Sequence, residues 1–142
     1  MSSRIVALDY GRARVGLAIS DPMGMIAAPA GNIDVKKKKP SLEVAKALRH
    51  LCEEKECTLK CVVIGMPYML NGTSGSQAQE VKTFARELEE HLECPIEFVD
   101  ERMTTLIADK ALQEGNLNRK KRAQSVDSVA ASLILQSYLE RL

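Results

Sequence analysis

Ile5-Val6-Ala7-Leu8-Asp9-Tyr10-Gly11-Arg12-Ala13-Arg14-Val15-Gly16-Leu17-Ala18-Ile19-Ser20 is the stretch whose reading decides the fold. Its first four residues are continuously apolar, as in a central strand covered on both faces, and the run ends at Asp9-Tyr10-Gly11. Gly11 to Arg14 suits a hairpin loop containing glycine, so Val15 to Ser20 returns as a second strand. Asp21-Pro22 stops it, and Met25 to Ile33 supplies a third strand with an interruption at Pro29. The first quarter of the chain reads as an antiparallel meander.

Beyond it the period changes. Leu42, Ala45, Leu48 and Cys52 recur at helical spacing, with Ser41 as an N-cap after Pro40. Cys61-Val62-Val63-Ile64-Gly65 is short, apolar and β-branched, the signature of a buried parallel strand. Val81, Phe84, Ala85, Leu88 and Leu92 mark a second helix, entered through Ser74 with Gln77 completing a capping box. Pro95 to Val99 alternates as a fifth strand and runs into Asp100-Glu101-Arg102. A helix from Thr104 or Thr105 to Glu114, closed by Gly115, then a basic loop from Asn118 to Arg122, lead to a last helix marked by Val126, Val129, Ala130, Leu133 and Ser137. The order βββ-α-β-α-β-α-α predicts an α/β fold: a five-stranded mixed sheet, three antiparallel strands then αβ crossovers, flanked by helices in one domain over residues 1–142.

Composition narrows the function classes. With 20 Lys+Arg against 19 Asp+Glu the chain is not a strongly basic nucleic-acid coat, although the total hides where the cations lie. A length of 142 residues leaves no space for a second lobe. No apolar run approaches the ~18 residues of a membrane span, so a cytoplasmic location without membrane contact is expected. Cys52, Cys57, Cys61 and Cys94 include no C-x-x-C pair and read as buried thiols rather than a zinc site.

Ligands of α/β sheets gather at the carboxyl ends of the strands. Asp9 and Glu101 each follow an apolar strand, and Asp127 lies near the start of the last helix. Each has a local explanation: a turn cap for Asp9, an ion pair with Arg102 for Glu101, the helix dipole for Asp127. Three acids from separate elements on one sheet edge, however, need neutralising, and Mg²⁺ or Mn²⁺ takes such oxygen ligands. One or two ions there would serve phosphodiester hydrolysis, two of them lying about 4 Å apart.

Asp9-x-Gly11-x-x-Arg14-x-Gly16, Gly65-Met66-Pro67 with Asn71-Gly72, Asp100-Glu101-Arg102, and Val126-Asp127-Ser128 with Ala130-Ala131 together resemble the YqgF family, small bacterial proteins similar to RuvC-type Holliday junction resolvases. The resemblance implies an RNase H-like fold, a hydrolase acting on pre-16S rRNA, Asp9, Glu101 and Asp127 as the catalytic and metal-binding acids, and a role in 5′-end maturation during ribosome biogenesis. It also exposes a departure: resolvases carry a carboxylate at the end of the fourth strand, where this chain has Gly65-Met66-Pro67, so Glu101 must substitute from the neighbouring strand. Asp100 is the fallback ligand, although alternation would turn it to the opposite face.

Around this centre Arg12, Arg14, Arg102, Arg119, Lys120, Lys121 and Arg122 read as phosphate contacts, while Lys36 to Lys39 read equally as contacts or as a solvated loop. Gly11 and Gly16 would let backbone approach phosphate, and Tyr10 could stack on a base. His50 and His91 fall on helices away from these loops. Thr73, Ser74 and Ser76 lack the lysine of a Walker loop. The expected substrate is structured RNA, precursor ribosomal RNA above all, or branched DNA, bound by a monomer or homodimer. The alternatives are a resolvase-like DNA endonuclease, a non-catalytic nucleic-acid-binding or transcription-associated factor, and an actin-like ATPase, which the chain length disfavours.

Overall fold

A computed structural model describes residues 2–11, 13–36, 39–67, 75–100 and 119–142, with 119–127 as backbone. It contains β1 (Ser2–Tyr10), β2 (Arg14–Ser20), β3 (Ala27–Asp34), α1 (Pro40–Lys55), β4 (Cys57–Met66), α2 (Ser76–Glu89), β5 (Ile96–Asp100) and α3 (Arg119–Glu140). The helix expected between Thr104 and Glu114 lies outside the described residues.

The sheet order is β3-β2-β1-β4-β5. β1 pairs antiparallel with β2 and parallel with β4, β2 pairs antiparallel with β3, and β4 runs parallel to β5. This is the mixed sheet expected from the sequence. Pro29 stays within β3 because that strand is an outer one, where a missing N–H costs no ladder bond.

Alternation on β1 divides the core in two. Val6 and Leu8 pack with Val44 and Leu48 of α1 and with Val81, Phe84 and Leu88 of α2. Ile5 and Ala7 pack on the other face with Ala131, Ile134, Leu135 and Leu139 of α3. A register shift between Arg4 and Ile5, against Leu59 and Cys61 of β4, rephases that strand. Cys57 therefore joins the α1/α2 core while Cys61 joins the α3 core.

Four local expectations are corrected. Lys39, not Ser41, occupies the N-cap of α1; Pro40 opens the helix, and Ser41 is buried inside it with its hydroxyl 3.5 Å from the Glu87 carboxylate. Gly75 is the N-cap of α2, without a side-chain bond, and Ser74 of the expected capping box lies outside the described residues. The basic run from Arg119 to Arg122 is the first turn of α3 rather than a loop, in keeping with the high helix propensity of Arg and Lys. Asp127 consequently lies well inside the helix, and the helix dipole no longer accounts for it.

The fourth correction concerns which side of α3 is buried. Of the expected stripe, Ala130 is buried but Val129, Leu133 and Ser137 are only half-buried, whereas Ala131, Ile134, Leu135 and Leu139 are covered. Apolar residues lie on both sides of this helix, so periodicity alone leaves its rotation open by about one residue. Ile134 is completely buried at the centre of the true stripe. Ile134→Ala is expected to destabilise the fold by about 2–5 kcal/mol, read as a lower urea midpoint at unchanged m-value.

Candidate nuclease site

Asp9 stands next to last in β1, on the face that Ile5 and Ala7 turn to α3. Its partner across the hairpin is Gly16. On the other side, Leu8 pairs with Ile64, so Gly65 is the β4 residue beside Asp9. The carboxylate is half-buried between two buried positions that carry no side chain.

Position 127 is brought to the same edge by the rotation of α3. Positions 127, 131, 134 and 138 follow the i, i+4, i+7, i+11 spacing of one helix face, and Ala131 and Ile134 on it are fully buried against the sheet. The direction of the helix is fixed at its far end. The Gln136 side chain accepts from the Ala27 N–H at 3.0 Å and donates to the Met25 carbonyl at 3.1 Å. Ala27 pairs with Ser20, whose hydroxyl accepts from the Ile5 N–H at 3.0 Å, so Gln136 sits level with Ile5. From Gln136 back to position 127 the helix rises about 13 Å, and from Ile5 to Asp9 the strand rises about 13 Å. The two lengths match.

Glu101, Arg102, Arg12, Asn71 and Gly72 lie outside the described residues. The strand leading to Glu101 is described: Val99 packs in the α3 core and Glu97 bonds to α3, whereas Asp100, out of phase with both, belongs to the opposite face. Arg14 opens β2, Pro67 follows the end of β4 at the carboxyl edge, and positions 119–122 form the start of α3 ahead of position 127. Among the described residues no group of three His, Cys, Asp or Glu side chains forms a metal cluster, Glu101 and the Asp127 side chain not being among them.

Two expected contacts take other roles. Gly11 is required by the hairpin itself: its N–H bonds to the Arg14 carbonyl at 2.9 Å, and a Cβ there would stand 2.8 Å from that oxygen. Tyr10 packs on Phe84, ring centroids 4.6 Å apart, on the α2 side of the sheet, where it cannot serve as a base-stacking platform at the Asp9 edge.

A family profile described as RuvX: Holliday junction resolvase matches residues 3–141. The chain belongs to the RuvX family. A protein of Protochlamydia amoebophila named "Putative pre-16S rRNA nuclease" is 43% identical over 140 residues, covering 97% of this chain and 93% of its own length. A protein of the same name from Syntrophomonas wolfei is 41% identical over 137 residues, covering 96% and 94%. The RuvX chain also shares the fold of T. thermophilus RuvC solved with a Holliday junction substrate, at TM-score 0.56 and 12% identity, covering 98% of this chain and 95% of that one. The fowlpox virus Holliday junction resolvase superposes with TM-score 0.56 at 14% identity, covering 98% and 99%. The RNase H-like fold, membership of a nuclease family and hence hydrolase chemistry follow.

The thiols of this RuvX chain are remote from the Asp9 edge. Cys52 and Cys94 line a cavity of about 430 Å³ beside Thr58 and Leu59, at the start of β4, together with His91. All four cysteines are free. Burial and the neighbouring Cys57 push the Cys52 thiol up to about 11. Its thiolate is therefore scarce at neutral pH, and modification of Cys52 by an aromatic disulfide reagent is expected to accelerate about tenfold per pH unit from pH 7 to 10. A rate already at its plateau at pH 8 would contradict this.

Proposed function

We propose that this protein is a metal-dependent nuclease, a single catalytic domain over residues 1–142, that hydrolyses phosphodiester bonds in structured RNA and acts in 5′-end maturation of pre-16S rRNA. The observation that carries the reading is the shared edge: Asp9 between two glycines, with position 127 on the sheet-facing stripe of α3 at the same height. Glu101 directly follows β5 in the sequence and is taken as the third acid of this centre.

The donor set fits a hard divalent cation. Asp9, Glu101 and Asp127 offer only carboxylate oxygens, and Asp9 lies between Gly16 and Gly65 in the sheet. Mg²⁺ or Mn²⁺, as one ion or two, would supply activation of water and relief of charge at the leaving oxygen. The chain's own residues do the rest. Asp9, Glu101 and Asp127 fix the position of the reacting phosphate through the charge they hold in place. Arg12, Arg14, Arg102, Arg119, Lys120, Lys121 and Arg122 bind flanking phosphates, and the positive end of α3 adds to that attraction. Gly11 shapes the hairpin on this edge, and Pro67 follows β4 there.

Identity of about 40% over nearly the whole chain to proteins named for pre-16S rRNA, against 12% to the junction-bound RuvC, favours RNA over branched DNA. The test is Mn²⁺- or Mg²⁺-dependent cleavage of precursor 16S rRNA, a generic RNA and a four-way DNA junction. Precursor RNA is expected to be cut in preference, and Asp9→Asn, Glu101→Gln and Asp127→Asn each to lower kcat by more than about 100-fold with little change in RNA affinity. Junction cutting alone would establish the resolvase-like alternative, and RNA binding without cutting the non-catalytic one. Undiminished cleavage by Asp9→Asn would remove the proposed centre.

A further inference from the structure

Two of the four free cysteines meet where α1 turns into β4. Cys52 lies in the last turn of α1, and Cys57 opens β4 just after the helix ends at Lys55. Glu56, between helix and strand, is left-handed (φ 51°, ψ 53°), and its N–H bonds to the carbonyls of Cys52 and Glu53. Such a cap reverses the chain, so that the residue after the left-handed one packs over the helical residue facing it, normally as an apolar contact. Here that contact is made by two thiols, and the Cys52 side chain is hydrogen-bonded to that of Cys57. Access to the two differs. Cys57 is 4% exposed, in the core that α1 and α2 build on the sheet, whereas Cys52 is half-buried and lines the cavity of about 430 Å³ with Arg49, His91 and Cys94. Among the described residues no three such ligands make a metal cluster, so Cys94 does not complete a metal site with the pair. The chemistry left to it is that of a dithiol.

We propose that Cys52 and Cys57 are a reactive dithiol, a modification site that a low-molecular-weight disulfide such as oxidised glutathione converts into an intramolecular disulfide. Cys52, the member open to the cavity, attacks one sulfur of the reagent. The reagent's S–S bond breaks, and the departing thiolate takes up the proton that Cys52 releases. Cys57 then attacks the Cys52 sulfur of the mixed disulfide, and the second small thiolate leaves with the proton from Cys57. The pair loses two electrons, and the reagent is reduced to two thiols. Two features favour the closed form. Only four residues intervene and the helix cap already holds the thiols in contact, so the second step is intramolecular and outruns attack by another small thiol. Burial, the neighbouring thiols and the carbonyl end of α1 all disfavour the Cys52 thiolate, which makes it a poor leaving group once it is bonded to Cys57. Oxidation is slow for the same reason and, once complete, resists reversal. Cys57 pairs with Ser2 at the start of β1, the far end of that strand from Asp9, so the modification is independent of the metal centre.

The test holds the full native chain in oxidised glutathione, quenches it in acid, alkylates the remaining thiols after unfolding and maps the peptides by mass spectrometry. Alkylation of Cys52 and Cys57 is expected to fall together by more than about tenfold, with their two peptides recovered joined and lighter by two hydrogen atoms. Cys57→Ser is expected to hold a glutathione adduct on Cys52, and Cys94→Ser to close the link as the native chain does. A glutathione adduct persisting on Cys52 of the native chain, a link from Cys52 to Cys94, or full alkylation of both thiols would overturn the proposal, as would a Cys57→Ser chain free of adduct at Cys52.

Discussion

Ala131 and Ile134 of α3 are completely buried against the face of the sheet that carries Ile5, Ala7 and Val63, and on that contact the rest of the arrangement depends. It fixes three things together. It covers one side of the central strands, which their continuous apolar runs demand. It sends the helix from the Gln136 clasp up across the sheet towards the carboxyl end of β1. It also turns position 127, one helical repeat before Ala131, to the side of α3 on which Asp9 lies. Fold stability and site geometry share the same small-residue interface.

That interface explains why glycine and alanine crowd this part of the chain. Gly16, Ala18, Ala7 and Gly65 are all buried, and Ala7 and Ala18 lie in one core with Ala131 of α3. A larger residue at Ala7 or Ala18 would crowd the core they share with α3. Carboxylates placed close together repel one another as bare anions, and a divalent cation or the basic residues around them offset that repulsion.

The sheet was legible in the sequence because its signals are short-range and redundant. Ile5 to Leu8 and Cys61 to Gly65 are apolar runs with turn residues after them, and the observed pairing of β1 with β2 and β4 follows from that pattern. Asp9 was legible for the same reason, as a charge placed at the end of such a run. The rotation of α3 was not, because Val126, Val129 and Leu133 compete with Ala130, Ile134 and Leu135 for the buried side, and only contact with the sheet decides between them. The basic run read as a loop because charge density resembles solvation, although Arg and Lys extend a helix well. Gln136, Tyr138 and Glu97 gave no sequence signal: a single polar residue on a helix or strand looks the same whether it is solvated or bridges two elements 41 or 109 residues apart in the chain.

The most direct test of this account is a crystal structure of the protein grown with Mn²⁺, with the ion located by its anomalous scattering. The account predicts a peak at the carboxyl edge of β1, with Asp9, Glu101 and Asp127 supplying oxygen ligands at about 2.0–2.6 Å. A peak elsewhere, or an Asp127 carboxylate more than about 10 Å from Asp9, beyond the span of a two-ion site, would contradict it.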